Sequence, residues 1–395
     1  MRRYLGKLTF WKFTALVILA VGIYATLVRY TKGLGASTHL SDEFPWGLWI
    51  GFDVLCGVGL AAGGFTLASI VYIFNIKRFE PILRPSILTA FLGYLLVIVG
   101  LLFDLGRPLQ IWHAIIMWNP RSVMFEVAWC VMLYTTVLAL EFAPMVLEKF
   151  HMTRTVRMLK SLSIPIVITG VLLSTLHQSS LGSLYLIAPF RLHALWYSPL
   201  LPVFFFVSAL AAGCAMVILE SFLSGRAFKK TIEMPLLATL GKGAVVLLGL
   251  YLTLRFMDAY NRHTLGLLLI PSKETYLFWL EIMVGALAPL LLLSFAKVRQ
   301  NRTGLFLGAV LIIIGFVLDR LNITITGMEA SAGISYFPSW TEISITLAIV
   351  TAGFVAFSAA ARYLPIFEHA VEAAPAKSLQ ETWVEDLSLV SRQYS

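Results

Sequence analysis

The sequence predicts an all-α, polytopic membrane bundle of about ten transmembrane helices. Three observations lead there. Of 395 residues, 59% are hydrophobic and only 13% charged, whereas a soluble domain is about a quarter charged. So few polar groups cannot build a water-facing surface. The apolar residues gather in stretches of about 20, the length that crosses bilayer hydrocarbon at about 1.5 Å per helical residue. Nothing between them has the alternation of a strand.

In chain order the stretches lie at roughly 11–30, 46–75, 85–105, 122–146, 161–178, 199–222, 236–258, 274–296, 304–325 and 341–363. The first follows Arg2, Arg3 and Lys7, as a signal peptide's core does. Its apolar run is too long for that and lacks a convincing cleavage site, so it counts as a span. In the second, Gly57, Gly59, Gly63 and Gly64 have the small-residue spacing that lets helices approach closely. They are not a phosphate loop, which needs a strand before it and a helix after it. No internal repeat is evident. Residues 1–365 are expected to form one membrane domain. Residues 366–395 form a polar tail of mixed charge, in which Leu379, Trp383 and Leu387 suit either a weak amphipathic turn or disorder.

The net charge of +9 sits in short loops, where it sets topology rather than marking a nucleic-acid surface. One set of loops carries Lys77, Arg78 and Arg84; Lys149, Arg154, Arg157 and Lys160; Arg226, Lys229 and Lys230; and Lys297, Arg299 and Arg302. The alternate set carries fewer: Lys32, Arg107, Arg121, Arg191, Arg262 and Lys273. The richer side is expected to be cytoplasmic, with both termini there. The other loops are longer and rich in Pro, Gly, Trp and Tyr. They read either as an interfacial aromatic girdle or as a platform for an extracytoplasmic partner.

Ionisable groups at bilayer depth cost several kcal/mol unless paired or hydrated, and so point to function. The stretch from Asp104 to Glu126 carries Asp104, Arg107, Arg121 and Glu126 where two spans meet one membrane face. Asp53 lies roughly 10 Å into the second span by helical rise. His177 is expected to close the fifth span. Arg255, Asp258, Glu281, Asp319 and Arg320 lie in the outer half of later spans. Glu141 and Glu220 stand instead toward the cytoplasmic ends of spans four and six. With Tyr72, Tyr94 and Tyr134 they suit proton conduction, or each acid pairs with a nearby base.

Cys56, Cys130 and Cys214 all lie in apolar stretches without a CxxC, so disulfide, zinc and iron–sulfur readings fail and packing remains. A b-type haem in a bundle commonly needs two facing axial histidines. Of His39, His113, His151, His177, His193, His263 and His369, only His177 falls on a span. No haem is therefore expected.

Several stretches resemble a known family: Phe44-Pro-Trp-Gly-Leu-Trp-Ile50 running to Asp53, Arg84-Pro, Phe125-Glu126, Leu140-Glu-Phe-Ala-Pro144, His177-Gln-Ser-Ser-Leu-Gly-Ser-Leu184 and Tyr336-Phe-Pro-Ser-Trp-Thr-Glu342. They resemble the HybB-type integral membrane subunits of hydrogenase-2 type [NiFe] hydrogenases, within the NrfD/polysulfide-reductase membrane-subunit family. The resemblance covers most of residues 10–365. It implies a haem-free subunit of the bacterial inner membrane that reacts with a quinone, menaquinone or ubiquinone. A ferredoxin-like iron–sulfur subunit would dock on the outer face and relay electrons from the hydrogenase large and small subunits. Carried onto this chain, it places Asp53, Tyr94, Asp104, Arg107, Glu126 and His177 at the quinone site, and Glu141 and Glu220 on a proton path from the cytoplasm. Three rivals stand beside it. One is a sibling complex whose catalytic partner is a molybdenum reductase. Another is an ion-coupled transporter, and the third a plain membrane anchor.

Overall fold

The computed structural model describes residues 10–367. The predicted tail beyond them, with Leu379, Trp383, Leu387 and His369, lies outside the described residues. The described residues contain helices and no strands. Ten helices are long and apolar enough to cross a membrane: α1 (Phe10–Lys32), α2 (Trp49–Ile73), α3 (Lys77–Asp104), α4 (Val123–Lys149), α5 (Ser163–Ile187), α6 (Leu201–Phe228), α7 (Met234–Asn261), α8 (Lys273–Ser294), α9 (Arg302–Ala332) and α10 (Trp340–Tyr363). Their connections alternate between a loop-rich face (33–48, 105–122, 188–200, 262–272 and 333–339) and a basic face that carries the Lys- and Arg-rich turns.

The helices close into two rings of four. In the first, α2 packs on α3, α3 on α4, α4 on α5, and α5 back on α2; in the second, α6 to α9 repeat the same cyclic order. No repeat was evident in the sequence because the repetition lies in packing order rather than in shared residues. The rings meet where α6 lies against α2 and α5, and α9 against α2. There, α2 and α6 touch backbone to backbone: a methyl group on Gly63 would lie 2.9 Å from the carbonyl oxygen of Gly213. Gly285 of α8 and Gly315 of α9 meet in the same way. Small residues allow such crossings where hydrophobic exclusion gives helices in lipid no reason to associate. Helices α1 and α10 pair outside the rings, on α3, with most of their surface exposed.

The starts of some helices are encoded locally. Ser339 and Glu342 form a capping box at α10, and Asn301 accepts from the amides of Thr303 and Gly304 at α9. Both satisfy amides that a helix start leaves without partners. Two ends differ from expectation. Helix α5 continues past His177 to Ile187, and hydroxyls of that stretch find partners in carbonyls of the helix itself: Ser179 in Thr175 and Leu176, and Ser180 in His177. His177 therefore lies roughly 15 Å inside by helical rise, not at the helix end. Helix α9 runs on to Ala332 through a π-helical turn, Asn322–Thr326. Further π-helical turns occupy Trp49–Cys56 of α2 and Glu281–Leu287 of α8.

Candidate functional site

Between α2, α3, α6 and α10 runs a groove of about 420 Å3. Its walls are apolar, among them Phe52, Leu92, Leu96, Leu219, Leu223 and Phe354. Two carboxylates interrupt them, Asp53 near the loop-rich end and Glu220 near the basic end. The volume falls within the usual range for small-molecule sites, which are mostly apolar with a few placed polar groups. Asp53 stands in the π-helical turn of α2, a feature that often marks functional positions. Its Oδ2 accepts from Thr346 of α10 at 2.6 Å. Gly100 of α3 leaves room for it, since a methyl group there would come within 2.8 Å of the Asp53 Cβ.

His177 and Tyr94 occupy a different place, the interior of the first ring. The rings of Tyr94 and Tyr134 stand 4.7 Å apart edge to face, and Tyr94 and His177 5.7 Å apart. Ser174 lies one turn before His177. The hydroxyls of Tyr94, Tyr134 and Ser174 and both imidazole nitrogens of His177 are buried without a hydrogen-bond partner. Each such group costs about 1–3 kcal/mol if left dry, so a water or a polar guest placed here would be stabilised. Its floor is fixed by Gln178, whose amide donates to the Val58 carbonyl of α2 at 3.1 Å.

The remaining predicted residues are dispersed. Asp104 ends α3 beside Arg29, whose guanidinium caps that helix by donating to the carbonyls of Phe103 (2.9 Å) and Leu105 (2.8 Å). One Asp104 carboxyl oxygen is buried and unpartnered. Arg107 and Glu126 are exposed. Glu126 lies in the first turn of α4, which begins at Val123. The expectation that Asp53, Tyr94, Asp104, Arg107, Glu126 and His177 line one pocket is corrected: they divide among groove, ring interior and loop-rich surface. They line different spaces.

The two proton-path acids also part. Glu141 lines a cavity of about 90 Å3 with Tyr72, Arg84, Glu148 and Lys160 at the basic face, where Glu148 pairs with Arg84 at 3.1 Å and Lys160 at 2.9 Å. Two turns further along α4 is Tyr134. Glu220 opens instead onto the groove, with one carboxyl oxygen unpartnered. The two acids therefore face separate spaces, Glu141 the cavity at the basic face and Glu220 the groove.

The second ring holds a charged core to which sequence reading assigned no role. Arg255 of α7 stands 3.9 Å from Glu281 of α8, between the rings of Phe204 and Phe278. Arg320 pairs with Asp319 on α9, donates to the Ser208 hydroxyl at 2.9 Å, and lies over Phe205 and Phe316. Their spacing in the sequence marked depth but not that three helices face one another. Among the described residues no group of three or more His, Cys, Asp or Glu side chains is placed to hold a metal ion.

Residues 36–332 match the family described as "Polysulphide reductase, NrfD". The chain belongs to the NrfD family. It is 39% identical to a protein of Nitratidesulfovibrio vulgaris over 365 residues, covering 89% of this chain and 93% of the relative. It is 34% identical to the "Probable Ni/Fe-hydrogenase 2 b-type cytochrome subunit" of Escherichia coli, over 88% of this chain and 90% of that one. It is 28% identical to the "Menaquinone reductase, integral membrane subunit" of N. vulgaris, over 93% and 94% respectively. It is thus a multi-span membrane protein of the type found in hydrogenase and other oxidoreductase complexes. The E. coli relative's name suggests a haem; on the spans described here His177 is the one histidine, so two facing imidazoles are not present among them.

Proposed function

We propose that this chain is the haem-free, quinone-reactive subunit of a respiratory hydrogenase, passing electrons between a docked iron–sulfur subunit and membrane quinone. The groove is the observation that carries the reading. An isoprenoid tail requires an apolar slot reached from the side of the bundle, and a head group requires polar atoms at one end. Asp53, steadied by Thr346, supplies that end. In this reading the head group lies beside Asp53 with its tail along Leu92, Leu96 and Phe354.

Quinone reduction takes two electrons and two protons. Electrons arrive from the partner across the loop-rich face, where Leu109, Trp112, Ile116 and Trp118 are exposed beside Arg107 and Glu126. That surface suits a docked protein better than open water. Protons reach the head group through Asp53, which is restored from the ring interior around His177, Tyr94 and Tyr134. The Glu141 cavity supplies that interior from the basic face, which we place in the cytoplasm. Glu220 offers a second approach along the groove.

The test uses the purified membrane complex with a short-tailed menaquinone analogue. Asp53→Asn, with the complex still assembled, should lower quinone turnover at least about tenfold, or about 1.4 kcal/mol. Turnover equal to the wild type would overturn the reading. Dihydrogen as donor separates the hydrogenase from a molybdenum partner, since only the first reduces quinone with it.

A further inference from the structure

The charged core of the second ring has an uneven arrangement of partners. One carboxyl oxygen of Glu281, Oε2, is fully occupied. It accepts from the indole N–H of Trp196 at 3.0 Å and from the Asn322 amide at 2.9 Å. Its other oxygen, Oε1, is buried without a hydrogen bond. Arg255 approaches that oxygen to 3.9 Å, too far for a hydrogen bond, and its Nε and Nη2 are likewise unpartnered. Asp319 is used on both sides: Oδ1 accepts from Tyr251 at 3.2 Å and Oδ2 pairs with Arg320.

Glu281, Asp319, Tyr251 and Ser208 line a cavity of about 30 Å3. One water needs roughly 10–15 Å3 of such space and two to four polar partners. Both conditions are met. Two guanidinium groups oppose a bound cation and two carboxylates oppose a bound anion, so the guest that suits this site is neutral. The side toward the loop-rich face is polar, with Asp258 one turn beyond Arg255 and bonded at 2.8 Å to half-buried Arg262. The side toward the basic face is closed by Leu248, Ile282 and Ile312, and by the contact of Gly285 with Gly315.

We propose that Glu281 is a proton-exchanging carboxyl, hydrated through its free Oε1 and communicating with the loop-rich face alone, while Asp319 stays a fixed anion beside Arg320. The step is a simple transfer: a proton leaves a cavity water, itself resupplied from the loop-rich face, and forms the O–H bond at Oε1, and returns by the same route. The site is separate from the quinone groove, and Asn322 links it to the groove's edge. Asn322 opens the π-helical turn of α9, and in that turn Thr324 lies against Gly51 of α2, two residues from Asp53.

The experiment is infrared difference spectroscopy of the purified complex between two pH values, in H2O and in D2O, beside a detergent assay of quinone-analogue turnover. The wild type should give a protonated-carboxyl C=O band that shifts in D2O. Glu281→Gln should lose that band while turnover stays within twofold; Asp319→Asn should keep it. Trp196→Phe, which removes a donor to the occupied oxygen and no charge, should move the band, and serves where Glu281→Gln fails to assemble. A band unchanged in Glu281→Gln, unmoved in Trp196→Phe, or absent from the wild type overturns the proposal. Absent turnover in the wild type would instead count against the quinone reading and leave the band test standing.

Discussion

The two rings of four helices share a cyclic order and treat buried polarity in opposite ways. In the α2–α5 ring the interior is neutral and unsatisfied, with the Tyr94, Tyr134 and Ser174 hydroxyls and the His177 imidazole all lacking partners. In the α6–α9 ring the interior is charged and partly matched: Arg320 pairs with Asp319, while Arg255 stands 3.9 Å from Glu281 with atoms of both left unpartnered. The difference teaches where each ring keeps its freedom. Unpartnered neutral groups can take up water and relay protons at small cost, whereas paired buried ions hold the structure and become costly when one member is lost. The groove lies outside the first ring, between α2, α3, α6 and α10.

The sharpest way to break this comparison is to remove one buried group from each ring. Arg320→Ala leaves Asp319 buried without its cation and should cost about 3–5 kcal/mol, read as a fall in the unfolding midpoint of the purified complex. His177→Leu deletes an imidazole that bonds to nothing and roughly conserves volume; it should cost less than about 1.5 kcal/mol. Equal losses would erase the distinction. Next in size, Gly213→Leu forces apart the α2–α6 crossing that joins the rings and should cost about 1–3 kcal/mol in the same measurement.

A smaller effect sharpens the groove's role. Thr346→Val removes the hydrogen bond to Asp53, worth about 1 kcal/mol, and should reduce quinone turnover roughly fivefold by that energy without changing the unfolding midpoint by more than a degree or two. The smallest concerns the loop that leads into the second ring. His193 has its amide bonded to the Gly327 carbonyl at 2.7 Å and its Nδ1 accepting from the Leu195 amide; burial holds its imidazole below the usual histidine range. Because the folded state prefers the neutral ring, its contribution is full above the unfolded value, about 6.5, and is lost as pH falls below it. His193→Gln should flatten the decline of thermal stability between pH 7 and 5.

The bundle was legible because twenty-residue apolar runs leave the backbone no alternative in lipid. Asp53, Glu141 and Glu220 stood out because buried acids are costly. Which of them share a space was not legible, since rotation about the helix axis decides it. The π-helical turns at Asp53, Glu281 and Asn322 re-aim side chains in a way that no count of residues per turn anticipates. The extension of α5 past His177 was hidden by its run of serines, whose hydroxyls bond back into their own helix. The charged core needed α7, α8 and α9 to meet, a contact the sequence does not encode by spacing.

The central claim is that the quinone occupies the groove beside Asp53. Photolabelling the intact complex with an azido-menaquinone analogue, followed by peptide mapping, tests it directly. The account predicts label on groove-lining residues of α3 and α10, such as Leu96 and Phe354, competed away by unlabelled quinone and reduced by Leu219→Trp, which fills the slot. Competable label confined to α7 and α8, or label on α3 and α10 that the filled slot leaves unchanged, would contradict it.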